Sequence, residues 1–437
     1  MRKELLASWA LLVGIGLMMI GNGLQGTLLS VRATLEGFDT QTTGVVMAGY
    51  FIGMMIGSAV SAKLIRRVGH IKVFAAAASV ASISILIQGS IVDPWVWWLM
   101  RIMTGACLAA IYVVSESWLN DRASNENRGA LLSVYMLICT LGMGSGQFLL
   151  NVAEPTTTSL FILISILVSI ASVPILLTAR PAPRFDSSDS MSLVKLYRLS
   201  PLSVQSNLLT GAAHGTIFGM GAVYAVNKGF STAEVATFMA AFSLGGLVLQ
   251  WPIGWASDRY GRRELLLWIS LLAAVVAGFV MTIDAGSPRF FLAVTLLGGL
   301  VMPMYSLCIA YLNDRLNPSD LVAASGAMLL ASGIGLTAGP ISVAFLMGQF
   351  GDDMFFAAIA IMFVLVALAV LRSKATREVT AQDIEDQSPI LTAGPIGSPV
   401  AAFNAPDAEE YAVALAEDQL DVLDELASEE GPPEPPR

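Results

Sequence analysis

Three cysteines and two histidines in 437 residues leave little material for metal clusters or a disulfide framework. Cys107, Cys139 and Cys308 each stand alone inside an apolar run, so they read as small core hydrophobes. Charge is scarce as well: 13% of the residues are Asp, Glu, Lys or Arg, against 55% hydrophobic. No Walker-type glycine loop ending in Lys-Ser or Lys-Thr is present, which argues against an ATP drive. No nucleophile–base pair or metal-ligand spacing stands out, so neither an enzyme nor a cofactor is expected, and no nucleic-acid partner. The run after Arg2-Lys3 is too long for a signal peptide and lacks a small-residue cleavage site. It predicts a first membrane span.

What the chain has in abundance is apolar length. A soluble protein could not hide this much apolar surface from water. Runs of 18 or more apolar residues recur through residues 7–372, each long enough to cross about 30 Å of hydrocarbon. They predict twelve spans, at 7–29, 43–65, 73–92, 95–119, 129–152, 158–178, 202–226, 232–256, 265–283, 289–312, 320–347 and 353–372.

The spans come as a repeat. Gly37-Phe38-Asp39-Thr40, with Met47-Ala48, Tyr50 and Gly53 beyond it, recurs 192 residues later as Gly229-Phe230-Ser231-Thr232, Met239-Ala240, Phe242 and Gly245. Arg67-Val68-Gly69 is echoed by Arg259-Tyr260-Gly261. After one residue of slippage, Leu119-Asn120-Asp121-Arg122 recurs as Leu312-Asn313-Asp314-Arg315, and Gly142 and Gly146 as Gly335 and Gly339. A same-sense repeat of half the length predicts two parallel bundles with a binding site between them. The expected fold is therefore an all-α membrane protein with 12 transmembrane helices in two pseudo-symmetric six-helix bundles. The expected divisions are residues 1–178 and 202–372 for the bundles, 179–201 for the linker and 373–437 for a tail.

The net charge of −9 divides unevenly. Residues 373–437 carry 15 acidic and 3 basic side chains, and the remainder 18 acidic and 21 basic. The Pro- and Glu-rich tail has too little apolar surface to offset its ordering entropy and is expected to be disordered. In the body and its flanks, Lys374 and Arg377 included, 19 Lys and Arg fall on one side of the spans and three, Arg32, Lys228 and Arg289, on the other. That asymmetry predicts both termini in the cytoplasm, in a plasma (inner) membrane, with Trp95, Trp97 and Trp98 as a belt at the outer interface. Leu193–Leu199 reads as a short basic amphipathic piece on the inner leaflet. Ser231 with Glu234 has capping-box spacing ahead of span eight. Asn317-Pro318-Ser319-Asp320 marks the start of span eleven.

Between spans eight and nine stands Gly254-Trp255-Ala256-Ser257-Asp258-Arg259-Tyr260-Gly261-Arg262-Arg263. This loop, with two six-helix halves around it, closely resembles the major facilitator superfamily over residues 5–375. Glu116-Ser117-Trp118, Asn127-Arg128-Gly129 and Gln250-Trp251-Pro252-Ile253-Gly254 resemble its YcaD-like branch. The resemblance implies the major facilitator fold and a conformational role for the loop. From the residues alone, Gly254 would allow close helix approach and Gly261 a tight turn. Asp258 would pair with Arg262, making a latch that closes in one state and opens in the other. In the first half Ala62, Arg66, Arg67, Gly69 and His70 take the places of Gly254, Asp258, Arg259, Gly261 and Arg262, so the acid is missing there. Glu116, with Arg128 across the next loop, is a candidate to supply it.

Span four carries the chemistry. Leu99-Met100-Arg101-Ile102-Met103-Thr104-Gly105 resembles the superfamily's fourth-helix Arg motif, which in many members is associated with proton coupling. Arg101, Gly105, Leu108, Tyr112 and Glu116 share one helical face, expected to line the cavity. An Arg at the centre of a membrane helix costs at least about 2.5–3.5 kcal/mol, and its counterpart in the second half is Val294, so the fold does not require it. Compensation is expected from carbonyls, from Asn22 or Gln25 of span one, from snorkelling, or from an anionic solute. His214, midway along span seven, is a candidate proton carrier or solute contact, with a satisfied core histidine as the competing reading. Gly142/Gly146 resembles the antiporter motif but lacks its Pro.

These residues predict a secondary transporter of a small organic solute, proton-coupled, monomeric, and working by rocker-switch alternating access. A second reading is a soft-metal (copper) importer, from Met100, Met103, Met220, Met302, Met304 and His214. A third is a membrane sensor or scaffold that signals through the tail.

Overall fold

The computed structural model describes residues 2–122, 128–177, 191–316 and 318–373. The acidic tail, most of the linker, Asn317, Asn127 and the side chains of residues 2–7, 120–130 and 318–323, Arg128 and Asp320 among them, lie outside what is described. The helices are α1 (Arg2–Leu35), α2 (Thr40–Val68), α3 (His70–Ser90), α4 (Pro94–Arg122), α5 (Arg128–Phe148), α6 (Ser159–Leu176), α7 (Leu193–Leu199), α8 (Pro201–Asn227), α9 (Thr232–Arg259), α10 (Arg262–Val280), α11 (Pro288–Val301), α12 (Met304–Asn313), α13 (Pro318–Phe350) and α14 (Met354–Arg372). Helices α11 and α12 form one span, broken at Met302-Pro303, where Pro303 removes a backbone donor from the ladder.

Local chemistry sets the ends. The Asp39 carboxylate accepts from the Thr42 N–H at 2.7 Å to cap α2, and that bond holds its pKa below the ordinary value. Ser231 and Glu234 complete the capping box of α9 in both directions. Gly37 and Gly229 close the turns before these two helices with matching positive φ, 80° and 82°. The repeat read in the sequence is thus a repeat of backbone conformation.

Among the described residues, eleven spans are long and apolar enough to cross a membrane. The twelfth expected span, 202–226, is helix α8, which falls short by composition. The reason is its position. It packs against α13, α14, α1, α12, α9 and α2, so polar side chains such as Ser203, Ser206, Asn207, Thr210, His214 and Thr216 are buried in protein and away from lipid.

Packing repeats too. Helix α2 lies on α4 as α9 lies on α11, and α1 lies on α5 as α8 lies on α13. Glycines allow the backbones to touch. A Cβ added at Gly53 would sit 2.0 Å from the Ile102 carbonyl oxygen, and one at Gly245 would sit 1.8 Å from that of Thr295. The bundles then meet through α2 on α13, α5 on α9, and α1 on α8. Those three contacts map onto one another under the same pseudo-twofold.

The end of the molecule with the 36–39 and 228–231 turns is called here the loop face, and the end with Gly69, Tyr260 and α7 the linker face. The α2–α13 seam runs inward from the loop face. Gln41 lies against Gly348, Gly44 against Pro340 and Ala344, and Met55 against Gly333. Beyond it, Ala59, Val60, Lys63 and Leu64 of α2 are exposed. Of the three expected belt tryptophans, Trp95 is 71% exposed, but Trp97 is buried. Its indole donates to the Ile91 carbonyl at 2.7 Å and its ring packs on Phe38, so it is a core residue. Helix α7 is capped by Ser192 and packs on α8 and α13 through buried Leu196.

Candidate functional site

Where the halves meet, a narrow cleft lies between α1, α2, α4, α5, α8 and α9. Asn22 and Thr27 of α1, Tyr50 of α2, Arg101 of α4 and Gln147 of α5 supply its polar atoms. Phe51 and Met143 of the first half, with Phe218 and Met239 of the second, supply apolar walls. Thr27 donates to the Gln147 side-chain oxygen, which joins α1 to α5 across the cleft. Arg101 is the sole charged residue in the lining and is 4% exposed. Its guanidinium carbon stands 4.5 Å from the centre of the Tyr50 ring. Among the described residues none hydrogen-bonds the guanidinium, and its Nε is buried without a partner. Snorkelling does not account for it, since a snorkelling head would reach solvent.

The expectation for the rest of that helix face is corrected. Gly105 is pressed against the Tyr50 carbonyl oxygen, 2.0 Å from where a Cβ would lie. The Tyr112 hydroxyl donates to Met19 Sδ at 3.1 Å, and Glu116, fully buried, accepts from the Tyr135 hydroxyl at 3.3 Å. Contacts with α2 at Gly105, α1 at Tyr112 and α5 at Glu116 close this face, leaving only its Arg101 end in the cleft. Gln25 is also diverted. It donates to Gln88 at 2.9 Å in a buried pair between α1 and α3.

His214 is completely buried. Its Nδ1 donates to the Thr210 carbonyl at 2.9 Å, and Nε2 makes no hydrogen bond. Phe218, one turn further along α8, lines the cleft, which places His214 one turn from its wall. Met302 packs on Gly246 and Met304 is buried, so both fill core space.

The loop motif is built differently from the expectation. Arg262 pairs with Asp314, not with Asp258, and also donates to the Ala310 carbonyl at 2.8 Å. This ties the start of α10 to the end of α12 inside one bundle. Burial pushes the Asp314 carboxyl above its ordinary range while Arg262 pulls it down. Arg263 donates to the Val370 and Ser373 carbonyls at 2.7 and 2.8 Å, closing the end of α14. Asp258 and Arg259 are exposed, the latter over the Trp255 ring at 5.4 Å. Gly254 has open space at its Cβ position, so no close approach occurs there. Gly261 has a φ of −56°, which any residue adopts, whereas its counterpart Gly69 has +88°. Arg66 and Arg67 are exposed at the same face. His70, in the place of Arg262, shares a hydrogen bond with Ser117 at 2.9 Å, so each half ties its third helix to its fourth with a different side chain.

Sequence reasoning reached Arg101 and Asn22 but missed Tyr50, Thr27, Gln147, Phe218 and Met239. Thr27 and Gln147 carried a usable signal, since each is a polar side chain within an apolar run. Phe218 and Met239 carried none.

Two helix bundles related by a pseudo-twofold, with a mixed polar and apolar cleft between them, define a membrane transporter of the two-bundle type. The family model of the Major Facilitator Superfamily matches the chain twice, over residues 11–206 and 206–406, and the chain belongs to that superfamily. It is similar to YcaD of Escherichia coli O9:H4 (strain HS), an uncharacterised MFS-type transporter, with 29% identity over 367 residues, 83% of this chain and 94% of that protein. YcaD of Escherichia fergusonii is 28% identical over 366 residues, covering 83% and 94%. Among solved structures the fold is similar to the nucleoside transporter NupG, with a TM-score of 0.70, 14% identity, and coverage of 87% of this chain and 99% of that one. It is also similar to a D-xylose-proton symporter, with a TM-score of 0.61, 15% identity, and coverage of 84% and 97%.

Proposed function

We propose that this transporter moves a small organic solute by secondary active transport, coupled to protons, with the cleft around Arg101 alternately exposed to the two sides. The observation that carries the reading is the cleft itself. It is walled by both bundles, so a solute held there touches both moving parts. Solved relatives named for proton symport, of fucose and of D-xylose, share the fold and support proton coupling. The bias of Lys and Arg supports both termini in the cytoplasm. Asp258 and Arg259, exposed at the linker face, stand ready to engage when that face closes.

The test is proton movement in inside-out vesicles challenged with organic acids, amines, sugars and nucleosides, followed by labelled uptake in right-side-out vesicles. We expect one solute class to drive proton flux, and Arg101→Ala to abolish it while the protein still folds. Solute flux that is indifferent to a proton gradient would remove the coupling. Normal coupled flux in well-folded Arg101→Ala would remove Arg101 from the site.

A further inference from the structure

The guanidinium of Arg101 presents five N–H donors in a planar fork. In this protein it is 4% exposed, with its central carbon 4.5 Å from the centre of the Tyr50 ring, and without a hydrogen-bond acceptor among the described residues. The cleft lining contains no Asp or Glu that could neutralise it. A buried cation in this state is tolerated only where something else completes it. Tyr50 approaches through its ring and offers the fork no acceptor oxygen in hydrogen-bond contact, and a planar two-oxygen acceptor binds such a fork bidentately. Asn22, Thr27 and Gln147 add amide and hydroxyl groups around it, while Phe51, Phe218 and Met239 form an apolar wall. The second bundle has Val294 in the place of Arg101, so the positive charge is one-sided and has no structural counterpart.

We propose that the solute is a small organic carboxylate. Its carboxylate docks on the Arg101 fork, its polar substituents face Asn22, Thr27 and Gln147, and its apolar body lies against Phe218 and Met239. This rests on the transport reading given above but makes a separate statement, about binding. The site is selective against neutral sugars and nucleosides of the same size, because these would leave the buried charge uncompensated. Selection against inorganic anions comes from the apolar wall, which they cannot fill.

The experiment is thermal unfolding of the purified full-length protein in detergent at constant ionic strength. The probes are the sodium salts of short aliphatic, hydroxylated and aromatic carboxylic acids, their amides, pentoses, hexoses, nucleosides, phosphate and sulfate. We expect at least one carboxylate to raise the Tm, with its amide about tenfold or more weaker in apparent affinity. Arg101→Gln is expected to raise the Tm of the ligand-free protein, since it removes an uncompensated buried charge, and to erase the carboxylate shift. Tyr50→Phe keeps the ring face and is expected to keep the shift. Three results would overturn the carboxylate site: no carboxylate raises the Tm, amides or neutral solutes or inorganic anions act equally, or Arg101→Gln retains the shift. Flux in proteoliposomes separates the two readings. A carboxylate that binds at Arg101 without being carried would sink the transport reading alone, while carriage of a neutral solute with no carboxylate effect would sink the site alone.

Discussion

At Gly245 an added methyl group would stand 1.8 Å from the Thr295 carbonyl oxygen, and that oxygen belongs to a helix backbone that cannot step aside. Gly278, in the same bundle, has open space at its Cβ position. Gly245→Ala is therefore expected to cost about 1–3 kcal/mol through overpacking, and Gly278→Ala to be near neutral or slightly stabilising through helix propensity. Unfolding of the two variants in detergent checks this, and equal midpoints would mean that α9 and α11 are not in backbone contact. Such positions were legible in the sequence because Gly53 and Gly245 recur at the repeat offset, and geometry repeats with them. Gly254 and Gly261 were legible only as members of a motif. Their individual roles depend on which conformation the molecule occupies and on a φ value, neither of which spacing encodes. Arg101 was legible because a charge inside an apolar run is costly wherever it points. Gln25 was not, since its partner Gln88 lies 63 positions away on another helix.

At the level of the helix, α8 inverts the usual signal. It is the span least like a membrane segment by composition, and nearly its whole surface is covered by other helices. Several of its polar atoms, Thr216 Oγ1 among them, are buried without a hydrogen-bond partner. Replacing a buried, unsatisfied hydroxyl by a methyl group of the same shape removes a desolvation penalty. Thr216→Val is thus expected to stabilise the protein by about 1 kcal/mol while leaving flux unchanged. Reversible unfolding and a flux assay read the two effects, and destabilisation would reveal a partner for Thr216 in the working protein. The sequence located α8 by the length of its apolar run. It could not foretell that the Arg101 face of α4 would be closed beyond Arg101, because that follows from how closely α1, α2 and α5 approach. The break at Met302-Pro303 was written in the chain as a proline, yet whether a proline bends or interrupts a span depends on the neighbours that re-satisfy the freed carbonyls.

For the whole molecule, the seam between the bundles determines what each face can do. On the loop face the seam is closed, with Gln41 of α2 against Gly348 of α13, where an added Cβ would lie 3.3 Å from Gln41 Cγ. Linking the two bundles at that point leaves the present arrangement undisturbed and forbids the loop face from opening. A side chain at 348 meets only the flexible Gln41 side chain, which can swing aside in the single variant and is shortened in the double one, and Gln41 is at the edge of the membrane body, so both positions accept cysteine. The native Cys107, Cys139 and Cys308 are buried and compete little with an oxidant. Gln41→Cys with Gly348→Cys is expected to cross-link on oxidation, to lose transport when cross-linked, and to recover it on reduction, while either single variant keeps flux under the same treatment. The carboxylate-induced rise in Tm gives an independent reading, because a ligand site inside a locked molecule survives even when delivery to the loop side does not. Full transport by the cross-linked protein would mean that the α2–α13 seam does not open during the cycle. The two bundles would then have to move about some other contact, α1 on α8, α5 on α9 and α2 on α8 being among those that remain.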